Sequence, residues 1–134
     1  MNVEPTPNKQ LLQHIFAGLA RGDSKPFVDS LADDFCWTLT GTTAWSRTYR
    51  GKHEVMTELM RPLFANFADQ YTNTAQRFIA DGDWVVVECQ GKVMTKRGRP
   101  YNNHYCWVCR IEGGKLREVI EYMDTQLVAT ALER

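Results

Sequence analysis

Apolar residues recur every three or four positions over the first third of the chain, which is the spacing of amphipathic helices. A first helix is predicted to start with Thr6 as its cap and Pro7 in its first turn. Its apolar stripe is formed by Leu11, Leu12, Ile15, Phe16 and Leu19. Gly22 is predicted to end this helix, because glycine is common directly after a helix.

The same spacing predicts two further helices. Asp23 or Ser24 caps the second helix, with Pro26 in its first turn. Its inner face is predicted to carry Phe27, Leu31 and Phe35. The third helix covers residues 55–67, and Pro62 is expected to bend or split it because proline lacks a backbone N–H.

Farther along, the pattern changes to shorter segments typical of β-strands, separated by glycine-containing turns. The predicted strands are residues 36–40, 71–80, 84–94, 101–111 and 115–123. Short turns between consecutive strands produce an antiparallel meander, and the preceding helices must cover one of its faces. The sequence therefore predicts an α+β fold in one domain, residues 1–134. We expect a curved antiparallel sheet with N-terminal helices over its concave face, and a short closing helix after Asp124.

Composition and charge narrow the class of protein. Sixteen Lys and Arg residues balance sixteen Asp and Glu residues, so the chain lacks the basic excess that nucleic-acid binding needs. The first residues, MNVEPTPNKQ, do not resemble a secretion signal, and no apolar run has membrane-spanning length. We therefore expect a cytoplasmic protein without a nucleic-acid or membrane partner, whose four cysteines remain thiols.

The order of these elements and three stretches of sequence resemble the nuclear transport factor 2-like superfamily. This group includes ketosteroid isomerase, limonene epoxide hydrolase and the SnoaL-like polyketide cyclases. The three stretches are RGDSKPFVDSLADDF, TYRGKHEV and IEGGKLREVIEYMD. The resemblance covers nearly the whole chain and implies a SnoaL-like domain with a cone-shaped, cystatin-like fold. It also implies a pocket between sheet and helices, and dimerisation through the outer sheet face, which many members share.

The resemblance to ketosteroid isomerase does not extend to its catalytic residues. Leu39 stands where the isomerase has its proton-abstracting aspartate, and Ile15 stands where it has the tyrosine that holds the enolate oxygen. Cys106 falls near its oxyanion-hole acid. Because leucine cannot accept a proton, steroid isomerisation by that mechanism is not expected.

The resemblance to limonene epoxide hydrolase keeps one catalytic position. Trp37 and Leu39 replace its water-positioning tyrosine and asparagine, and Pro100 and Asn102 stand near its arginine and acid. Glu121 retains a carboxylate. The hydrolase mechanism therefore lacks most of its residues here.

The segment NNHYCWVC, residues 102–109, suggests a metal site, a redox pair or one wall of a pocket. Side chains alternate faces along a strand, so Cys106 and Cys109 point to opposite sides and are predicted to be structural thiols. We expect no metal and no cofactor. The family alignments direct the even-numbered side chains toward the pocket, namely Asn102, His104, Cys106 and Val108. The opposite face then becomes an exposed aromatic surface that predicts a homodimer, formed by Tyr101, Tyr105, Trp107 and Cys109.

Within the predicted pocket, His104 and Glu121 form the candidate catalytic pair. Histidine titrates near neutral pH, and a partly buried carboxylate can have its pKa raised toward the same range. Asn102 is suited to orient a carbonyl group or a water molecule, and Trp37 and Leu39 supply apolar walls for a flat ligand. The predicted ligand-binding residues are Trp37, Leu39, Asn102, Cys106 and Val108.

The candidate residues also have structural interpretations, which the sequence leaves open. His104 is alternatively a hydrogen-bonded core histidine. Glu121 alternatively pairs with Arg110 or Arg117. Glu88 is either a second pocket acid or a paired structural one.

Two functions are consistent with the sequence. In the first, the protein is a cofactor-free isomerase, cyclase or hydrolase in which His104 and Glu121 exchange protons with an apolar carbonyl compound. In the second, it binds a small hydrophobic molecule, or only dimerises, without chemistry. Tyr49 and Arg50 precede the third helix near the expected mouth of the pocket, where they either gate it, bind an anionic group or make ordinary loop contacts.

Overall fold

Six strands form one curved, open sheet, and helices cover one of its faces. The structure is a computed structural model that describes residues 6–134. Residues 1–5, which belong to the segment compared with a secretion signal, lie outside the described residues. The predicted α+β class with N-terminal helices over a curved sheet is confirmed.

Two of the described helices precede the sheet in the chain, two lie between its second and third strands, and one follows its last strand. They are α1 (Pro7–Leu19), α2 (Lys25–Ser30), α3 (Lys52–Glu54), α4 (Arg61–Phe64) and α5 (Thr125–Ala131). Thr6 caps α1, since its hydroxyl accepts a hydrogen bond from the Lys9 N–H at 3.3 Å. Asp124 caps α5 in the same way, accepting from the Leu127 N–H at 3.2 Å.

A π-helical segment, Val55–Met60, joins α3 to α4. The Arg61 N–H bonds to the carbonyl of Met56, five residues back, and α4 begins at that point. Pro62 lies in the first turn of α4, directly after the π-helical segment, and has no N–H to donate to the preceding turn. The helical stretch predicted at residues 55–67 is therefore divided beside Pro62. Leu59 and Met60, at the end of the π-helical segment, are buried on its side that faces the sheet.

The strands are β1 (Leu31–Leu39), β2 (Arg47–Arg50), β3 (Thr72–Asp81), β4 (Trp84–Lys92), β5 (His104–Glu112) and β6 (Lys115–Met123). Their order across the sheet is β2-β1-β6-β5-β4-β3. The last four strands form the predicted antiparallel meander, with tight turns at Gly82 and at Gly113-Gly114. The pairing of β1 with β6 is parallel, because the chain passes through β2 and the third helical stretch before the meander begins.

The start of the sheet differs from the sequence prediction. The second helix was expected to extend through Phe35, but α2 ends at Ser30 and β1 begins at Leu31. Phe35 shares a face with Trp37 and Leu39, and the alternation of these three buried residues is typical of a strand. Strand β2 was not predicted, because only Tyr49 in its four residues is buried.

Side chains of the meander divide cleanly between two faces of the sheet. We call the face that the helices cover the inner face and the opposite one the outer face. In β5 the inner face carries Tyr105, Trp107, Cys109 and Ile111, all buried. Together with Leu12, Ile15 and Phe16 of α1, these residues belong to one continuous apolar core.

Candidate functional site

A cavity of about 330 Å³ lies between the inner face and the helices. Strands β1, β3, β5 and β6 supply its floor and walls, and the π-helical segment, α4 and α5 close over it. Residues at its mouth are partly exposed and come from two loops: Gly22, Ser24, Asp69 and Gln70. The Gln70 side chain donates a hydrogen bond to the Gly22 carbonyl at 3.3 Å, which links the two loops. This volume accommodates a small organic molecule.

Glu121 is the acid on the floor of the cavity. Its residue is 7% exposed, and its strand neighbours are Trp107 of β5 on one side and Leu39 of β1 on the other. Trp107 Nε1 donates a hydrogen bond to Glu121 Oε1 at 2.8 Å. Burial raises the pKa of Glu121 to about 8, although the indole N–H groups of Trp107 and Trp37 oppose the rise. Around neutral pH the carboxyl group is therefore mainly protonated, and it loses its proton close to the physiological range.

Aromatic rings surround this acid. Trp107 packs against Phe16, Phe27 and Trp37 with ring centroids 5.2, 5.8 and 5.4 Å apart. The contacts are edge-on or tilted, which is the favoured geometry for aromatic pairs. The Trp37 Nε1 atom is buried and, among residues 6–134, has no hydrogen-bond partner of ordinary geometry, despite its proximity to the Glu121 carboxyl. These rings shield Glu121 from water and fix the position of the Trp107 indole that donates to it.

A group of tyrosines forms the polar wall opposite the tryptophans. The Tyr71 hydroxyl donates to the Tyr105 hydroxyl at 3.1 Å, and Asn73 Nδ2 donates to Tyr71 at 3.3 Å. Asn103 Nδ2 donates to the Tyr101 hydroxyl at 3.3 Å. Burial raises the pKa of all three tyrosines, so their hydroxyl groups stay neutral and are available as hydrogen-bond donors or acceptors.

Gly91 allows this tyrosine wall to form. It lies opposite Asn73 on the neighbouring strand, and a β-carbon there would come within 2.8 Å of the Tyr71 hydroxyl and 3.0 Å of the Tyr105 ring. The two tyrosines therefore pack over backbone that carries no side chain.

The cavity carries no positive charge among the described residues that line it. Its two carboxyl groups belong to Glu121 on the floor and Asp69 at the mouth, and all other lining residues are apolar, aromatic or neutral polar. Burying an anionic ligand beside such groups is unfavourable. The arrangement is suited to a neutral, flat molecule that exchanges hydrogen bonds with a few fixed polar atoms.

The predicted ligand-binding residues divide between the two faces. Trp37, Leu39 and Glu121 lie in the cavity lining. Asn102, Cys106 and Val108, together with the predicted catalytic His104, do not. They lie on the outer face or beside it: His104 and Asn102 are exposed, and Cys106 and Val108 are half-buried.

The predicted direction of strand β5 was therefore wrong. The family alignments shifted the face assignment by one residue, and a one-residue shift moves every side chain to the opposite face of a sheet. The polarity of the strand indicates the observed direction, because its odd positions are aromatic or apolar whereas His104 and Arg110 occupy even positions. His104 and Glu121 lie on opposite faces, so they do not form an acid–base couple.

The structural alternatives are resolved for several other residues. Glu88 lies on the outer face and forms an ion pair with Arg77 at 3.0 Å. Arg110 and Arg117 pair with Glu118 and Asp34 at 3.4 and 2.9 Å, and neither pairs with Glu121.

The residues expected at the mouth have local roles instead. Tyr49 is fully buried, and its hydroxyl donates to the Trp45 carbonyl at 2.8 Å. Arg50 is exposed, and its backbone N–H donates to the Glu54 carboxylate. Both contacts belong to the loop and to the start of the helical stretch that follows it.

Several lining residues were not predicted as site residues: Trp45, Tyr71, Asn73, Tyr101, Tyr105 and Trp107. Assigning the odd-numbered side chains of residues 101–111 to the inner face would have predicted Tyr101, Tyr105 and Trp107. Tyr71 and Asn73 carry no local signal, because they enter the site through the register of β3 with β4.

The cysteines are free thiols in the described part of the chain, and Cys106 and Cys109 point to opposite faces. Residues 6–134 contain no cluster of His, Cys, Asp and Glu side chains that could hold a metal ion. Within the same range, no helix has the length and apolar character needed to cross a membrane.

A family model described as a SnoaL-like domain matches residues 12–119. A search of curated proteins found no significant match.

Solved structures share the fold at low sequence identity. An NTF2-like protein of unknown function from Burkholderia pseudomallei K96243 matches with a TM-score of 0.81 and 22% identity, over 97% of this chain and 100% of that chain. A putative SnoaL-like polyketide cyclase from Jannaschia sp. CCS1 matches with a TM-score of 0.78 and 14% identity, over 98% and 96% of the two chains. TerC, co-crystallised with polyporic acid, matches with a TM-score of 0.79 and 20% identity, over 96% and 100%.

Proposed function

The chain belongs to the SnoaL-like domain family, and from that premise we propose that its cavity binds a small, largely apolar carbonyl compound with which Glu121 exchanges a proton. Family membership also confirms the resemblance to the nuclear transport factor 2-like superfamily. The observation that carries the proposal is the buried Glu121 carboxyl group, which faces an aromatic cavity whose described lining residues include no cation. The co-crystallisation of TerC with polyporic acid supports a small organic ligand for this fold.

The chemistry follows from the protonation state of Glu121. As a neutral acid it can donate a hydrogen bond, and then a proton, to a ligand carbonyl oxygen, while its conjugate base can accept a proton from the adjacent carbon. A pKa of about 8 places both forms within reach near neutral pH. The Trp107 N–H stabilises the carboxylate when the proton has left. The whole exchange is therefore assigned to one carboxyl group, without His104.

Exchange of ligand protons with solvent tests this role without knowledge of the natural substrate. We choose 2-acetylnaphthalene as the probe, because it is flat, apolar and carries exchangeable protons beside a carbonyl group. NMR in D₂O should show that the protein accelerates deuterium incorporation into the methyl group of the probe. Glu121→Gln should abolish the acceleration while keeping binding, which quenching of Trp37, Trp45 and Trp107 in the cavity lining reports.

Glu88→Gln is the matched control, since Glu88 is a strand glutamate on the outer face. It should retain both binding and exchange. Equal exchange rates in the wild type and Glu121→Gln would remove Glu121 from the chemistry.

A binding protein without chemistry is the second candidate. It is favoured by the position of His104, since the residue predicted to share proton transfer with Glu121 is exposed and lies outside the cavity lining. Quenching by 2-acetylnaphthalene without accelerated deuterium incorporation in the wild type would support this function over the first.

We also propose a homodimer that forms through the outer face. The aromatic residues first expected at the interface are buried in the core, so a different set must supply it. Val86, Val108 and Ile120 are half-buried cross-strand neighbours that form an apolar row over β4, β5 and β6. Tyr122 lies beside the row and is 51% exposed. Such a row, flanked by ion pairs, is suited to pairing with a second copy.

Light scattering at micromolar concentration tests the dimer. The wild type should show twice the mass of one chain, and Val108→Glu should reduce it to a monomer by placing a charge in the apolar row. Ala129→Glu, on the exposed side of α5, is the control and should leave the mass unchanged. A monomeric wild type would exclude the proposed interface.

A further inference from the structure

Two buried side-chain polar atoms lack a protein hydrogen-bond partner within residues 6–134, and both belong to residues that line the cavity. One is the acceptor Asn73 Oδ1, and the other is the donor Trp37 Nε1. Asn73 is fully buried, so solvent at the surface does not reach it. Buried polar atoms in proteins are nearly always paired. Two exceptions in one cavity indicate that a ligand supplies the missing hydrogen-bond partners of these atoms.

The orientation of the Asn73 amide follows from its neighbours. Tyr71 donates its single hydroxyl hydrogen to Tyr105, so it can only accept from Asn73. The amide nitrogen must therefore face Tyr71, and the contact of 3.3 Å has this direction. The amide also lies beside the Cys89 thiol, where its hydrogen bond counteracts part of the burial that raises the pKa of Cys89. The carbonyl oxygen of the amide is left without a protein donor.

We infer that Asn73 is a specificity-determining residue, and that its Oδ1 accepts a hydrogen bond from a hydroxyl group of a neutral ligand. The inference rests on the proposed function to the extent that a small molecule must occupy the cavity, but it does not depend on proton exchange at Glu121. The carbonyl oxygen of the same ligand is the natural acceptor for the Trp37 N–H. The ligand class is therefore a hydroxylated carbonyl compound.

The charge of the cavity supports a neutral ligand. The described lining residues include no Lys, Arg or His, so an anionic ligand would be buried without a cation to pair with it. A ligand hydroxyl is uncharged and donates one hydrogen, which is what Asn73 Oδ1 lacks. A methyl ether has the same oxygen without that hydrogen, so it provides a close chemical comparison.

Calorimetric titration with 2-naphthol, 2-methoxynaphthalene and 2-naphthoate tests the inference. These probes carry one substituent each, so they can orient freely in the cavity. We expect 2-naphthol to bind the wild type about tenfold more tightly than 2-methoxynaphthalene, the effect of one hydrogen bond to an otherwise unpaired buried group. We expect 2-naphthoate to bind more weakly than both.

Two variants assign the preference to the carbonyl oxygen of Asn73. Asn73→Leu has a similar shape and should bind 2-naphthol and 2-methoxynaphthalene equally. Tyr71→Phe removes the partner of Asn73 Nδ2 but leaves Oδ1 in place, so it should keep the preference for 2-naphthol. A preference that survives in Asn73→Leu would overturn the inference.

The wild-type protein provides a test that does not depend on a variant folding. The side-chain amide resonance of Asn73 should shift on addition of 2-naphthol and remain nearly unchanged with 2-methoxynaphthalene. Equal affinity for these two probes would overturn the role of Asn73 but leave the proposed cavity ligand intact. Failure of every naphthalene probe to bind would overturn both.

Discussion

Two glutamates on opposite faces of one sheet have contrasting environments. Glu121 on the inner face is buried, receives a hydrogen bond from Trp107 and lies in a cavity with no cation among its described lining residues. Glu88 on the outer face is 45% exposed in its side chain and pairs with Arg77. The same residue type is thus an enclosed acid with a raised pKa in one place and a partner in an exposed ion pair in the other. Position relative to the helices, rather than residue type, decides which chemistry the carboxyl group has.

The contrast extends to the neighbours of these two residues. Polar groups of the inner face bond to one another in pairs, as Tyr71 does with Tyr105, and aromatic rings fill the space between them. Polar groups of the outer face form ion pairs near water, as Arg110 does with Glu118. An unpaired charge on the inner face therefore has a large effect on folding, whereas an ion pair on the outer face has a small one.

The pH dependence of stability should show the largest difference between the faces. The pKa of Glu121 is about 8 in the folded protein and near its ordinary value of 4.5 when the chain is unfolded. Between these values only the folded state holds the proton, so the stabilisation present below pH 4.5 is lost as the pH rises through 8. The total loss is roughly 5 kcal/mol in the free energy of unfolding. Urea denaturation at pH 5 and pH 8 spans most of this range and should show a loss of roughly 3–4 kcal/mol.

Glu121→Gln should lose most of this pH dependence, because glutamine does not titrate. Glu88→Gln should keep the pH dependence of the wild type, because it retains the buried Glu121 carboxyl group. If Glu121→Gln and the wild type lose equal stability between pH 5 and pH 8, the carboxyl group is not held protonated by burial.

The second largest effect is expected from Gly91→Ala on the inner face. The backbone of Gly91 has no positive φ, so alanine is accepted there without backbone strain. The added β-carbon meets the Tyr71 hydroxyl at 2.8 Å, and we expect a loss of about 1–3 kcal/mol in the free energy of unfolding. Urea denaturation near pH 6 provides the measurement.

The cause of that loss can be separated from a general effect on the strand. Tyr71→Phe removes the hydroxyl that the new β-carbon meets, so the double variant should lose less stability than the two single variants summed. Gln90→Ala, one residue away with an outward-facing side chain, should change stability by less than about 0.5 kcal/mol. A strictly additive double variant would mean that the crowding at Tyr71 is not the cause.

Most of the fold could be predicted from the sequence, because its signals are local. The apolar stripe of α1 and the glycine turns of the meander each lie within a few neighbouring residues. The face of β5 could also be derived, since Tyr105 and Trp107 alternate with His104 and Cys106. The prediction instead took the inward-facing positions of β5 from an alignment with distant relatives, and that assignment was wrong by one residue.

The remaining parts of the site depend on contacts between distant segments. Asn73 meets Gly91 through the pairing of β3 with β4, and Glu121 meets Leu39 through the parallel pairing of β1 with β6. No local pattern encodes these pairings. Strand β2 was missed for the related reason that its four residues carry one buried side chain, Tyr49, and gain their strand structure from β1.

The smallest effect is expected on the outer face, where Glu88→Gln breaks the ion pair with Arg77. Both side chains are about half exposed, so water and salt screen their attraction, and the loss should be about 0–1 kcal/mol. A double-mutant cycle with Arg77→Gln, followed by urea denaturation in low and high salt, measures the coupling and its screening. A coupling of several kcal/mol would show that the outer face holds its charges as tightly as the inner face. A coupling below 1 kcal/mol that disappears in salt would mean that a carboxyl group in this sheet has a strongly shifted pKa only where the helices enclose it. Among the glutamates of β4 and β6, Glu121 alone is enclosed in this way.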